Sequence, residues 1–497
     1  MNCTGLKPHQ GPAAAHLLSC ISRYGAALDG SDMGTGKTYV AGAVLRELNL
    51  PTLVVCPDVA RPGWLRAGEH LGVEFDVIGY EMLRTGRTPF GRWQFPKTGP
   101  LKTRLKCLTC QCWVEDTTPP CPYHSAGIHC VETKSIPHNY GRFLFHPAVK
   151  AAVFDEVHRC KATDSLNAEI LIAARRQDLR VIGMSATAGD SPLDFKALGY
   201  TLDLHQLDEG VRFWTWVRRW NCRPSPHGGL YFAGKEDERK RVMARLNEEI
   251  FPEHGIRIRT RDLPDFPECQ ITAELYDLTE GKAIEKLYEQ MDDSIRALRD
   301  RAALDKKTHL TEILRTLQEI ELLKVPIFVQ LTEDANDQGY SVVNFVTFTQ
   351  TLDELCKRLK TECRIDGSQV GPAGQKRRQH CIDSFQAGHD RRLVANSAAG
   401  GICISLHDAV GDAPRVGFVS PCSSAVNIRQ VFGRLPRIGA KSKSLYRVVL
   451  AAGTREENVH RRLVTRLNQQ DALNDGDLFA SNLHLTEHEL SDIFSSL

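Results

Sequence analysis

The run Asp32-Met33-Gly34-Thr35-Gly36-Lys37-Thr38 has the residue types that a phosphate-binding loop requires. Gly34 and Gly36 carry no Cβ, so backbone N–H groups can curl around phosphate oxygens. Lys37 offers a point charge to the β- and γ-phosphates and Thr38 a hydroxyl to Mg²⁺, with Thr35 inside the same cradle. Behind the loop, Tyr39–Leu48 has helical spacing, which predicts a helix N-terminus whose dipole favours anions. Ser31 stands where the GxxxxGKT pattern has its first glycine, and a residue this small can still make the turn. A second pair of groups, Asp155-Glu156, follows the apolar run Ala151–Phe154. One carboxylate there can hold Mg²⁺ while the other orients and deprotonates an attacking water. A third cluster has different chemistry. Cys107 and Cys110, then Cys121 and His124, form two chelating pairs whose two-residue spacing lets each pair reach one ion, closing a tetrahedron around a structural Zn²⁺. Cys112, His129 and Cys130 are alternatives for the fourth ligand.

These groups need rigid elements to position them. Through about residue 200, short apolar runs alternate with helical patterns, as in a parallel sheet covered by helices. Thr52–Cys56, Ala151–Phe154 and Arg180–Met184 are predicted strands, and the Pro-, Gly- and Cys-rich stretch 85–148 interrupts the alternation as an insertion. Residues 205–265 are rich in Trp and Arg, and Glu280–Leu331 is a charge-patterned helical region. Alternation resumes at Ser341–Phe348 and continues through Arg392–Ala395, Val416–Val419 and Leu445–Leu450. The expected organisation is an α/β protein with a first lobe at 1–204 and a helical protrusion and connector at 205–335. A second lobe at 336–470 and an acidic tail at 471–497 complete it.

Several short strings, in order, carry a resemblance to a known family. Leu6-Lys7-Pro8-His9-Gln10, the phosphate loop, Val54-Val55-Cys56-Pro57, Asp155-Glu156-Val157-His158, Ser185-Ala186-Thr187 and Gln430–Gly439 resemble the motifs of superfamily-two helicases and translocases. The resemblance implies two RecA-like parallel-sheet lobes with helical insertions. It implies that Gln10 reads the adenine edge, that Gly401 belongs with the nucleotide site, and that Arg434 and Arg437 are arginine fingers. A guanidinium supplied by another lobe neutralises charge in phosphoryl transfer and makes hydrolysis depend on lobe closure. His158, Ser185, Thr187 and Gln430 would couple nucleotide state to the nucleic-acid groove. Trp64, Ile78–Leu83 and Ala399–Leu406 are similar to the Swi/Snf-type branch, more narrowly to annealing helicases and their bacteriophage-encoded relatives. Phe213–Pro264 resembles that branch's helical protrusion, ending in the basic segment Arg257, Arg259 and Arg261. Cys403 and Pro436 depart from the family, which often has glycine and histidine at these places.

Composition narrows the remaining choices. A chain of 497 residues, 42% hydrophobic and 25% charged, has material for about three domains and their cores. Its net charge of +2 names no partner, because local clusters are hidden in a balanced total. Basic pairs at Arg218-Arg219, Lys240-Arg241, Arg377-Arg378 and Arg391-Arg392 suit contacts to a phosphate backbone. No apolar run approaches the roughly 20 residues of a membrane span, and no signal peptide is evident, so a reducing cytoplasm is the expected location, the host's if the chain is phage-encoded. The expected activity is ATP-dependent translocation along DNA, duplex or branched, with ATP, Mg²⁺ and structural Zn²⁺. Two alternatives stand beside it: a strand-separating helicase acting on RNA or DNA, and a zinc-dependent nucleic-acid-binding protein with a weak ATP site.

Overall fold

The computed structural model describes residues 3–95, 102–107, 113–114, 130–135, 141–162, 165–186, 188–189, 191–208, 211–225, 229–299, 306–369, 371–397, 404–421 and 430–461. The chain divides into two compact units, residues 1–30 with 38–257 and residues 31–37 with 258–497.

The first unit is built on α1 (Gln10–Tyr24), β1 (Ala26–Asp29), α2 (Lys37–Leu48), β2 (Thr52–Cys56), α3 (Arg61–Leu71), β3 (Asp76–Gly79), β4 (Ala151–Asp155), α4 (Leu166–Arg176), β5 (Arg180–Met184), α5 (Glu236–Ile250) and β6 (Gly255–Ile256). Its six strands lie in the order β6-β1-β5-β4-β2-β3, every neighbouring pair parallel. Strands β2 and β4 are buried along their whole length, as a parallel sheet covered on both faces demands, and their unbroken apolar sequences follow from that. The three strands expected from hydrophobic runs are present. Strands β1 and β6 lacked such a signal, being four and two residues long. Glycine has a steric role in β6: a Cβ on Gly255 would lie 2.1 Å from the Leu28 carbonyl oxygen, so only glycine lets this strand pair with β1.

The strands Gly91–Gln94 and Arg142–Phe145 pair antiparallel, and the predicted insertion leaves the sheet through this base. Further out, Lys102–Cys107 pairs with Cys130–Ser135, which sets Cys107 opposite Cys130 in the backbone register. Cys110, Cys112, Cys121, His124 and His129 lie outside the described residues, as does the side chain of Cys107. In the Trp/Arg-rich region, Phe213, Trp216, Val217 and Trp220 join the first unit's core together with Leu246 and Ile250 of α5. Phe213, Trp216 and Trp220 are thus core residues, whereas Trp214 and Tyr231 are exposed.

The second unit contains β7 (Cys269–Tyr276), α6 (Gly281–Arg299), α7 (Lys306–Leu323), α8 (Val325–Asp337), β8 (Ser341–Val346), α9 (Thr349–Leu359), β9 (Arg364–Ile365), α10 (Gly371–Gln386), β10 (Arg392–Asn396), β11 (Arg415–Val419) and β12 (Ser444–Ala451). Its strands run parallel in the order β7-β12-β11-β8-β10-β9. Two six-stranded parallel sheets are consistent with the pair of RecA-like lobes that the resemblance implies. The expected helical region is subdivided: Lys324 separates α7 from α8, where a proline falls in the first turn and needs no N–H partner. At that junction the Lys324 ammonium pairs with the Glu456 carboxylate, the two side chains 1% and 0% exposed. Tyr288 of α6 donates to Glu456 Oε1 at 2.7 Å and the Ala451 N–H to Oε2 at 2.7 Å. One buried carboxylate thus ties two helices to the end of β12. Among the described residues no helix is long and apolar enough to cross a membrane.

Candidate functional site

In the first unit the motif residues collect at the carboxyl ends of the parallel strands, the edge where open α/β sheets bind ligands. Strands β5 and β4 pair with Met184 opposite Asp155, so the chain leaves both strands at the same level. Asp155 is nearly buried and has a fixed orientation: the Trp64 indole Nε1–H donates to its Oδ2 at 2.9 Å. The Tyr80 hydroxyl donates to its backbone oxygen at 2.9 Å. Burial holds the Tyr80 phenol well above its ordinary pKa, so it remains a donor. Neither role was evident in the sequence, because Trp64 and Tyr80 lie 91 and 75 residues before their partner. Beyond the resemblance of Trp64 and Ile78–Leu83 to a known branch, an aromatic residue with a polar handle is the sequence signal they give.

Glu156 follows with φ 54° and ψ 52°, a left-handed conformation that is uncommon for a residue with a side chain. The turn brings His158 Nδ1 to 3.3 Å from Glu156 Oε2 and to 3.1 Å from Ser185 Oγ. Two motifs far apart in sequence thereby share one imidazole. Gln10, the first residue of α1, is buried, and its side-chain oxygen accepts the Lys7 N–H at 2.8 Å, which closes the Leu6–Gln10 turn. Thr38 lies in the first turn of α2. Thr187 lies outside the described residues.

The phosphate-loop residues Ser31–Lys37 pack with the second unit. Gly34 and Gly36 have φ of 85° and 87°, the left-handed region that only glycine adopts freely. Lys37 Nζ donates to the Ser31 and Asp32 carbonyls at 2.8 and 3.1 Å, and Thr35 Oγ1 to the Asp32 carbonyl at 2.9 Å. The Ser31 departure has a physical reason here: its hydroxyl accepts the Ile258 N–H at 3.0 Å. Asp32 continues the pairing, its N–H donating to the Ile258 carbonyl at 2.9 Å and its Oδ2 accepting the Thr260 N–H at 3.0 Å. Thr260 is buried, whereas Arg259 and Arg261 are exposed. A short 3₁₀ turn, Thr260–Asp262, follows Arg259, so the two arginines stay exposed while the Thr260 N–H between them holds Asp32.

Arg434 is 2% exposed and donates through Nη1 to the Ile404 carbonyl at 3.2 Å. Arg437 reaches the same oxygen through Nη2 at 3.2 Å. Their segment is pinned by Tyr446 of β12, whose hydroxyl donates to the Val431 carbonyl at 2.5 Å and accepts the Leu435 N–H at 3.1 Å. Gln430 is buried in the first turn of that segment. The Ile438 N–H donates to the Gly34 carbonyl at 3.3 Å, so the loop and the arginine segment are in direct contact. Gly401 and Cys403 lie outside the described residues. The cysteines described outside the insertion are free thiols. Among the described residues no group of three or more His, Cys, Asp or Glu side chains is placed to hold a metal ion.

Comparison with known proteins gives a consistent picture. A protein of Acanthamoeba polyphaga mimivirus, provisionally named an ATP-dependent RNA helicase, is 32% identical over 495 residues, covering 97% of this chain and 86% of its own. The DNA repair and recombination protein RAD54B of Mus musculus is 29% identical over 158 residues, 31% of this chain and 17% of its own. RAD54B of Gallus gallus is 28% identical over 189 residues, 36% of this chain and 20% of its own. No protein-family profile matches the chain.

Proposed function

The chain belongs to the helicase-like ATPases and is an ATP hydrolase, and from that membership we propose a motor of the Swi/Snf-like branch that moves along DNA, duplex or branched. The observation that carries the reading is the shared imidazole. His158 Nδ1 lies within reach of both Glu156 Oε2 and Ser185 Oγ, so a change at the hydrolytic carboxylate would be felt at the next motif. The partial likeness to RAD54B, named for DNA repair and recombination, supports DNA as the track. The functional division would be a first lobe at 1–204, a protrusion and connector at 205–335, a second lobe at 336–470 and a tail at 471–497.

In this reading Gly34, Thr35, Gly36 and Lys37 cradle the phosphates and Gln10 and Gly401 complete the nucleotide site. Glu156 orients the attacking water and takes its proton, while Arg434 and Arg437 neutralise charge on the transferred phosphate. His158, Ser185, Thr187 and Gln430 carry the coupling. The residues fit a magnesium nucleotide: both loop glycines have the left-handed backbone that a phosphate cradle uses, and Trp64 orients the Asp155 carboxylate. When bound, Mg²⁺ neutralises phosphate charge, and Thr38 and Asp155 would hold it with few other protein ligands, since this ion keeps several waters.

ATP turnover measured without nucleic acid and with single-stranded, duplex or forked DNA, or RNA, tests the proposal. Stimulation of about tenfold or more is expected with DNA, duplex or forked substrates being best. Stimulation by RNA alone would establish the second reading, an RNA helicase, which the name of the viral relative favours. No response to any nucleic acid would end both.

The spacing of Cys107, Cys110, Cys121 and His124 supports a structural Zn²⁺ in the insertion, and the Cys107–Cys130 register makes Cys130 a competing ligand. Elemental analysis of the purified chain should find about one zinc per molecule, falling to background in Cys110→Ser/Cys121→Ser. A zinc-free wild-type protein that is fully folded would refute the site.

A further inference from the structure

The second unit contains a recess of about 1360 Å³ bordered by the end of α9, the loop before β9, one face of α10 and the loop before β10. It lies at the amino ends of β9 and β10, whereas the motif segments of this unit follow the carboxyl ends of its strands. Six cationic side chains line it against two carboxylates, Glu362 and Asp390, and one of the six, Arg364, is paired with Asp353 and Asp366 outside the lining. Two basic pairs that are distant in sequence meet there, and each pair divides its work. Arg378 is buried, its guanidinium donating to the Asp366 carbonyl at 2.5 Å and to Gln369 Oε1 at 3.2 Å. Arg392 is held by Asn336 Oδ1 at 2.7 Å and by the Leu359 carbonyl at 3.1 Å. Their neighbours Arg377 and Arg391 are exposed into the recess, together with Lys360 and Lys376. None of these four has a carboxylate partner among the described residues.

Like charges gathered in a concavity raise its potential. Asp390, one of the two acids, is engaged by the Ser384 hydroxyl at 2.5 Å. We propose that this recess is a second nucleic-acid contact, in which Lys360, Lys376, Arg377 and Arg391 bind the phosphate backbone away from the motor's motif edge. The inference rests on nucleic acid being what the ATPase works on. The contact is sequence-independent and adds affinity or holds a second segment of the same molecule while the motif edge engages the first.

The test compares two doubly substituted chains with the same change in net charge: Arg377→Glu/Arg391→Glu in the recess, and Lys282→Glu/Arg315→Glu on the exposed faces of α6 and α7. Binding of a labelled DNA duplex is titrated over a range of salt concentrations. The recess variant should bind at least about tenfold more weakly at low salt. Its log–log salt slope should be shallower by about 1.5–2, close to 0.9 for each phosphate no longer neutralised. The α6/α7 variant should stay near wild type. Equal behaviour of the two variants overturns the inference while leaving the motor reading intact. Failure of the wild-type chain to bind any nucleic acid would instead remove the reading beneath it. Where charge reversal perturbs folding, Arg377→Gln/Arg391→Gln carries the same comparison, with a smaller expected loss of about threefold and the same slope change.

Discussion

Lys37→Ala should lower ATP turnover by roughly two to three orders of magnitude while leaving the fold in place. The side chain is half-buried, and among the described residues its ammonium donates to two backbone carbonyls of its own loop, those of Ser31 and Asp32. Those two hydrogen bonds are worth about 1–3 kcal/mol together, and water can replace part of that at a half-exposed site. Neither hydrophobic sheet core includes Lys37. What the substitution removes is the one positive charge at the start of α2, where the phosphates of the nucleotide would gather. Steady-state turnover at saturating nucleic acid, recorded beside a thermal unfolding curve, separates the two effects. Unfolding midpoints should agree while turnover collapses. Turnover retained at more than a tenth of wild type would place the phosphate site somewhere other than residues 31–38.

The second large effect concerns stability. Lys324→Met should destabilise the second unit by about 3–5 kcal/mol, because it leaves the Glu456 carboxylate buried without its countercharge. The remaining donors, the Tyr288 hydroxyl and the Ala451 N–H, satisfy that carboxylate as an acceptor but do not neutralise it. Burial and the neighbouring Glu456 both push the Tyr288 phenol well above its usual pKa, so it stays protonated and a donor. Adding Glu456→Gln should recover part of the loss, since the neutral amide needs no countercharge and its one oxygen still accepts from one of the two donors, which reach different carboxylate oxygens. For a unit of this size the single substitution corresponds to a fall on the order of 10 °C in its unfolding midpoint. A change below about 1 kcal/mol would show that the pair is hydrated and stabilises little.

How far the molecule could be read in advance depended on whether the signal was local. Strands β2, β4 and β5 and the helix behind the phosphate loop were legible, because a buried parallel strand must be a continuous apolar run and a loop glycine pair before a helical pattern has few other uses. Strands β1, β3, β6, β7 and β9 were not. Some are only two to four residues long, and β7 is buried only at Cys269 and Ile271, the rest of it being half-buried or exposed like many solvent-facing segments. The same division holds at the site. Gly34, Gly36, Lys37, Asp155 and Glu156 are candidates by type and spacing alone. Ser31 looked like a blemish until its hydroxyl was found on the Ile258 N–H, 227 residues away.

By itself, then, the sequence determined the α/β class and membership among helicase-like ATPases, and it carries the residue pattern of a phosphate loop and an acidic pair, since these depend on residue types at short fixed spacings. Tertiary structure alone decided that Trp64 would orient Asp155, that His158 would join Glu156 to Ser185, and that the Lys324–Glu456 pair would tie helices to a strand. It also decided that Arg377 and Arg391 would meet across one recess while Arg378 and Arg392 turned inward. The physical reason is common to all of them. A hydrogen bond or a shared field acts over a few ångströms of space, and only the folded sheets bring residues separated by tens or hundreds of positions that close.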